Sequence, residues 1–169
     1  MARKHTQNKI VMYDDYAEIV ITDRKGNEKA RAKIDIDDID KVKKYRWGLY
    51  NRGYVICTNK SNKTSLHRFI MNCPDDKVVD HINHDKLDNR KCNLRICTQS
   101  QNTKNKCKSK ANTSGCTGVS WHKKGNKWQV HICVNNKQMH LGVYDDLEEA
   151  IKVRKEAEEK YFGEFKNQD

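Results

Sequence analysis

Apolar and polar residues trade places along this chain at two periods, and the changes of period mark its elements. Residues 17–23 (AEIVITD) are a β-branched run that stops before Lys25-Gly26-Asn27, which predicts a strand and then a turn. A second strand is expected from about Ala30 to Ile34. Asp35 or Asp37 stands where a short helix could be capped, with Ile39, Val42 and Trp47 near its inner face and Trp47 in the core. Residues 49–58 and 63–71 read as a hairpin turning at 59–62, because YVIC and SLHRFI both alternate. Pro74, the only proline, breaks the chain after it. From Val78 to Lys106 the pattern predicts strand, polar loop, strand, and a short polar helix beginning near Ser100.

The last third has a cleaner signal. Residues 117–144 read as three strands with turns at Lys124-Gly125-Asn126 and Asn135-Asn136. Alternation places Trp128, Val130, Ile132 and Val134 on one face, and Gln129, His131 and Cys133 on the other. Asp145 with Glu148 resembles a capping box for a helix running to about Tyr161. Its stripe of Leu147, Ala150, Ile151, Ala157 and Tyr161 would cover the apolar sheet face. The expected fold class is therefore α+β. It comprises an N-terminal α+β region over residues 1–106, a basic linker over 103–115, and a three-stranded antiparallel sheet packed on one helix over 116–165.

Composition changes this picture in two ways. In 169 residues only 36% are hydrophobic and 34% are charged, so the core is modest or shared between small units. The net charge of +11 is uneven: +9 over residues 80–140 and −4 over 141–169. A basic centre favours a polyanion partner. Seven cysteines with no CxxC pair argue against a disulfide framework and for a reduced, cytoplasmic chain. The N-terminal residues 1–15 are polar and basic, lack an apolar secretion core, and read as a mobile arm. No run reaches membrane-spanning length.

The chemistry gathers in VVDHINHDKLDNRKCNLRICTQSQNTKNK, residues 78–106. Asp and Asn oxygens suit a hard divalent cation such as Mg²⁺, and a neutral imidazole beside one can take a proton from water. Asp85, Asp88 and Asn89 read instead as loop builders that bond their own backbone. DHIN, LDNR, NLR and SQN together resemble the HNH motif, the ββα-metal finger of phage and intron-encoded homing endonucleases. The resemblance implies a metal-dependent DNA endonuclease with His81 as general base. Asp80 and Asn102 would hold one Mg²⁺ (or Mn²⁺) per site, and Asn93 would orient His81 or brace the loop. It also implies 5′-phosphate and 3′-hydroxyl products. His84 falls where the family commonly has glycine, and an LHR like Leu66-His67-Arg68 precedes the motif in phage-type relatives.

The expected partner is double-stranded DNA, with monomer and dimer both open. Arg68, Arg90 and Arg95 are candidate phosphate contacts, Arg68 equally a local ion-pair former. Lys104, Lys106, Lys108 and Lys110 would follow the backbone along the linker. GVSWHKKGNKW and HLGVYDDLEEA resemble the APETALA-type (ethylene-response-factor) domain, whose three-stranded sheet reads the major groove. Carried over, the contact surface includes Ser120, His122, Lys123, Lys124, Lys127, Gln129, His131 and Cys133. Positions that hold arginine in the plant proteins are Ser120, His122 and Cys133 here, so base specificity does not transfer. An alternative is a DNA-binding regulator with an inactive nuclease fold.

Overall fold

The computed structural model describes residues 7–58, 63–104, 112–134 and 137–165. The chain divides into two compact units, one through Thr98 and one from Gln99. The class is α+β, with antiparallel sheets and short helices in the first unit and a sheet with one long helix in the second.

The first unit opens on an antiparallel sheet of β1 (Ile10–Met12), β2 (Ala17–Thr22) and β3 (Glu28–Ile34), in that order. β1 corrects the expected N-terminal arm. Ile10 pairs with Ile19, and the Asn8 side chain donates to the Val20 and Trp47 carbonyls while accepting from the Trp47 amide at 2.7 Å. A strand this short has no periodic signature of its own; its partners make it. After β3 a 3-10 turn (Ile36–Asp38) leads into α1 (Ile39–Val42). Asp35 does not cap it; its carboxylate accepts from the Lys91 amide instead.

Trp47 lies in a strand, β4 (Trp47–Leu49), not on the preceding helix. It is 2% exposed, edge-on to Tyr45 and tilted against Phe69, and its indole N–H donates to the Val42 carbonyl at 2.9 Å. β4 pairs with β5 (Val55–Thr58), which pairs with β6 (Lys63–Ser65). The expected hairpin therefore forms only between β5 and β6: the run expected as one strand over 49–58 is broken by a 3-10 turn over Asn51–Gly53, and the second strand stops at Ser65. Leu66–Ile70 is helix α2. Leu66 and Ile70, four apart and both buried, supply helical spacing that competes with alternation in the same short run. β7 (Val78–His81) and β8 (Leu94–Cys97) form a two-stranded ribbon. Ile19, Ile21, Ile34, Val42, Trp47, Val55, Leu66, Val79 and Leu94 share one core.

The second unit begins with α3 (Gln99–Lys104) and is dominated by the sheet β9 (Val119–His122), β10 (Lys127–Val134) and β11 (Lys137–Tyr144), with β10 central. α4 (Leu147–Phe162) covers one face, with Ala150 and Ala157 buried among Val119, Val130 and Ile132. The helix is capped by Asp146, which accepts from the Glu149 amide at 3.2 Å, one position later than expected. Asp145 instead pairs with Lys127 at 2.9 Å. Gly118, at φ +82°, lies where a Cβ would fall against the His131 carbonyl and the Arg154 guanidinium, so only glycine fits. Most of the expected linker falls on residues 105–111, outside the described residues.

Candidate active site

The β7–β8 ribbon sets the site. Strand pairing places Asp80 opposite Arg95 and His81 opposite Leu94 at the end of β7, and both acid and imidazole are buried. Cross-strand neighbours on one face lie within side-chain reach. Accordingly, Arg95 donates from Nε and Nη2 to Asp80 Oδ2 at 3.0 and 2.8 Å.

Between the strands, residues 82–93 are held by their own short polar side chains. Asn83 Oδ1 accepts from the Asp85 amide and Asp85 Oδ1 from the Leu87 amide, the Asx turns expected of this composition. Asn93 braces them: Oδ1 accepts from the Asn83 amide at 3.0 Å, and Nδ2 donates to the Asp88 carbonyl at 2.8 Å. His84 sits at φ +64°, the left-handed region that explains why glycine suits that position.

The side chain that meets His81 is Asn89. Its Oδ1 lies 3.4 Å from His81 Nε2, its Nδ2 donates to the Lys86 carbonyl, and its own amide donates to the Lys33 carbonyl on β3. Asn89 is therefore 1% exposed, fastened between the N-terminal sheet and the imidazole rather than simply building a loop. On another side of His81, the His67 ring stands edge-on at 5.0 Å, and Tyr54 lies 5.4 Å from His67 and 6.2 Å from His81. Ser65 Oγ is 3.3 Å from His67 Nε2.

These surroundings set protonation. Burial pushes His81 below the usual imidazole range, opposed by its contact with Asn89 and by the charges of Asp80, Asp85 and Asp88. Burial lowers His67 to about 3, helped by His81 and Arg68. Both rings are neutral at pH 7, as an imidazole must be to accept a proton. His67, Tyr54 and Asn89 were not among the expected site residues. The signals for His67 are the LHR that the resemblance places before the motif and the helical spacing of Leu66 and Ile70.

The three arginines expected on phosphates are all engaged within the first unit. Arg68 donates to the carbonyls of Lys77 and Pro74 at 2.6 and 2.9 Å, bracing the link from α2 to β7. Arg90 pairs with Asp88 at 2.7 Å and lies over the Tyr16 ring, and Arg95 holds Asp80. Asn102 lies on α3, within the second unit. Lys104 ends that helix, and Lys106, Lys108 and Lys110 lie outside the described residues.

In the second unit, His122, Lys123 and Lys124 are exposed. Pairing of Lys127 with His122 and of Gln129 with Ser120 puts those side chains on the face opposite Val119 and Val130. His131 is half-buried, lowered by burial and by Arg154. Trp128 packs into the core, whereas Trp121 is 43% exposed and edge-on to it.

A hard divalent cation suits the donor chemistry of the Asp80 carboxylate with a carboxamide oxygen. Among the described residues no three His, Cys, Asp or Glu side chains converge on one point. Mg²⁺ held by one or two carboxylates and by substrate phosphate needs no such cage. No helix among the described residues is long and apolar enough to cross a membrane.

Residues 72–104 match the HNH endonuclease family model. The chain is 33% identical to an uncharacterized HNH endonuclease of Acanthamoeba polyphaga mimivirus, over 79% of this chain and 72% of that protein. It is also 33% identical to protein 3.8 of Escherichia phage T7, over 44% of this chain and 62% of that protein. No solved structure matches.

Proposed function

The chain belongs to the HNH endonuclease family, and from that premise we propose that it hydrolyses a phosphodiester bond of double-stranded DNA with His81 as general base. The observation that carries this reading is the buried pair at the end of β7: a neutral imidazole directly after a buried carboxylate. Asp80 would supply the carboxylate for a divalent cation, Mg²⁺ or Mn²⁺, and by the HNH resemblance Asn102 would supply a carboxamide. Such a cation would offset the charge that develops on the scissile phosphate.

His81 takes a proton from water as the water oxygen forms its bond to phosphorus. The bond from phosphorus to the 3′-oxygen breaks, and that oxygen is protonated from solvent. The ends are then a 5′-phosphate and a 3′-hydroxyl. Asn89 keeps the imidazole in place, and Asn93 keeps the loop that carries Asn89. Arg95 balances Asp80 when no cation is present. One such site per chain nicks one strand at a time.

The second unit is the DNA-holding module in this reading. Its sheet face of Ser120, His122 and Gln129, beside Lys123 and Lys124, lies against the duplex in the APETALA manner, with phosphate contacts outweighing base contacts; Lys127 joins it only by leaving Asp145.

Nicking of supercoiled plasmid in Mg²⁺, with EDTA as control, tests the reading. His81→Ala should lower the rate by roughly a hundredfold or more, the scale of general base catalysis, with DNA affinity retained. A His81→Ala protein that nicks at the wild-type rate ends the assignment.

A further inference from the structure

The arginines nearest the motif are spent on their own chain, which leaves open what holds DNA at His81. A different set of cations stands on the motif loop, on the turn it braces and on β6, whose Ser65 reaches His67. The turn from β4 to β5 places two consecutive residues in left-handed backbone, Arg52 at φ +70° and Gly53 at φ +83°. Arginine rarely adopts that conformation, so something must hold the turn in place. Lys86, from the motif loop, does so: Nζ donates to the Arg52 carbonyl at 2.8 Å and lies 4.7 Å above the Tyr54 ring. Tyr54 in turn packs toward His67 and His81. The turn is thereby tied to the imidazole pair on both sides.

Strand geometry extends this rim. On β6, Lys63 and Ser65 share a face, and Ser65 Oγ reaches His67. Lys63 Nζ lies 5.4 Å from the Tyr50 ring, which is 48% exposed. Arg52 and Lys63 are exposed and Lys86 half-buried. None of the three has a carboxylate partner among the described residues, in contrast to Arg90 with Asp88 and Arg95 with Asp80. Lys86 spends one of its three donors on Arg52 and keeps two.

Resting on the nuclease reading above, we propose that Arg52, Lys63 and Lys86 form the phosphate-binding rim of the first unit. They take the DNA backbone on either side of the scissile bond, with Tyr50 as the rim's exposed aromatic surface. The physical reason is availability. A cation already paired with a carboxylate must lose that partner to bind phosphate, while an unpaired one releases only solvent and counterions.

The test uses the full chain and a fluorescein-labelled random-sequence DNA duplex. The affinity of Arg52→Ala/Lys63→Ala/Lys86→Ala should depend less on salt, its log–log slope falling by about 2 to 3, since each phosphate contact contributes about 0.9. In plasmid nicking the loss should fall more on KM than on kcat. Arg24→Ala/Lys25→Ala, in the exposed turn between β2 and β3, serves as control and should leave the slope alone. An unchanged slope in the triple variant, or an equal loss per charge in the control, overturns the proposal. His81→Ala separates the two readings, because it removes nicking without touching the salt slope. If that variant still nicks while the triple variant loses slope, the base assignment falls and the rim stands.

Discussion

The two units use polar side chains in opposite ways. In the first, Asp80, His81, Asp88, Asn89 and Asn93 are all buried, and each is fixed by a named neighbour. In the second, His122, Lys123 and Lys124 stand exposed at the end of a ribbon, on a scaffold whose order comes from Val130, Ile132 and the helix behind them. Bond cleavage demands groups held to within fractions of an ångström, and burial with full hydrogen bonding supplies that hold. Attraction to a phosphate backbone demands charge near a surface, which ordered water and side-chain motion do not spoil. If that contrast is correct, changes in the first unit should alter stability and protonation together. Changes on the second unit's surface should alter binding alone.

The largest expected effect comes from the buried pair itself. Arg95→Ala takes the guanidinium away from the buried Asp80 carboxylate, and breaking a buried ion pair costs roughly 3 to 5 kcal/mol. Thermal unfolding of the metal-free variant should show that loss. Mg²⁺ should then raise the Tm of Arg95→Ala more than that of the wild type, because the cation takes over the balancing role. Equal Mg²⁺ responses would mean that Asp80 does not face the cation, whatever happens to activity.

Next in size is pH. His67 titrates at about 3 in the folded chain against 6.5 when unperturbed, so the unfolded chain binds the proton first on acidification. Its contribution is complete above pH 6.5 and is lost as pH falls toward 3. At 1.36 kcal/mol per unit, lowering pH from about 6.5 to about 5 should cost about 2 kcal/mol. His67→Phe should flatten that slope, and His81 should account for the remainder in the same direction. A His67→Phe protein with the wild-type Tm–pH curve would show that the ring is not buried as described.

How far this contrast was legible in the sequence follows from the range of the forces involved. β2 is declared by its β-branched run and β10 by its alternation, and the Asp80–His81 pair is a contiguous motif, so all three could be read directly. The Asx turns of Asn83 and Asp85 are local hydrogen bonds, and composition reveals them. What stayed hidden depends on distant partners. β1 exists because Ile19 and Asn8 hold it, and Asn89 is buried because Lys33 on another strand takes its amide. Leu66–Ile70 satisfied two periods at once, and only packing under β5 and β6 decided for helix. The arginines show the same limit. A basic residue near a nuclease motif reads as a phosphate contact until the carboxylate or carbonyl that occupies it is seen.

The smallest effect is the sharpest check on the second unit. Lys123 and Lys124 are exposed between β9 and β10, and neither has a carboxylate partner among the described residues. Exposed substitutions of this kind usually change stability by no more than about 0.5 kcal/mol, so the Tm of Lys123→Ala/Lys124→Ala should match the wild type. Two lost phosphate contacts should lower the salt slope of duplex binding by about 2. If the slope falls and Tm holds, the ribbon carries charge without carrying the fold, as the contrast requires. If the slope holds as well, the second unit's sheet does not face DNA at this end, and the first unit's rim must supply the affinity alone. A fall in Tm with no change in slope would place these lysines in the fold's own support and erase the distinction between the two units.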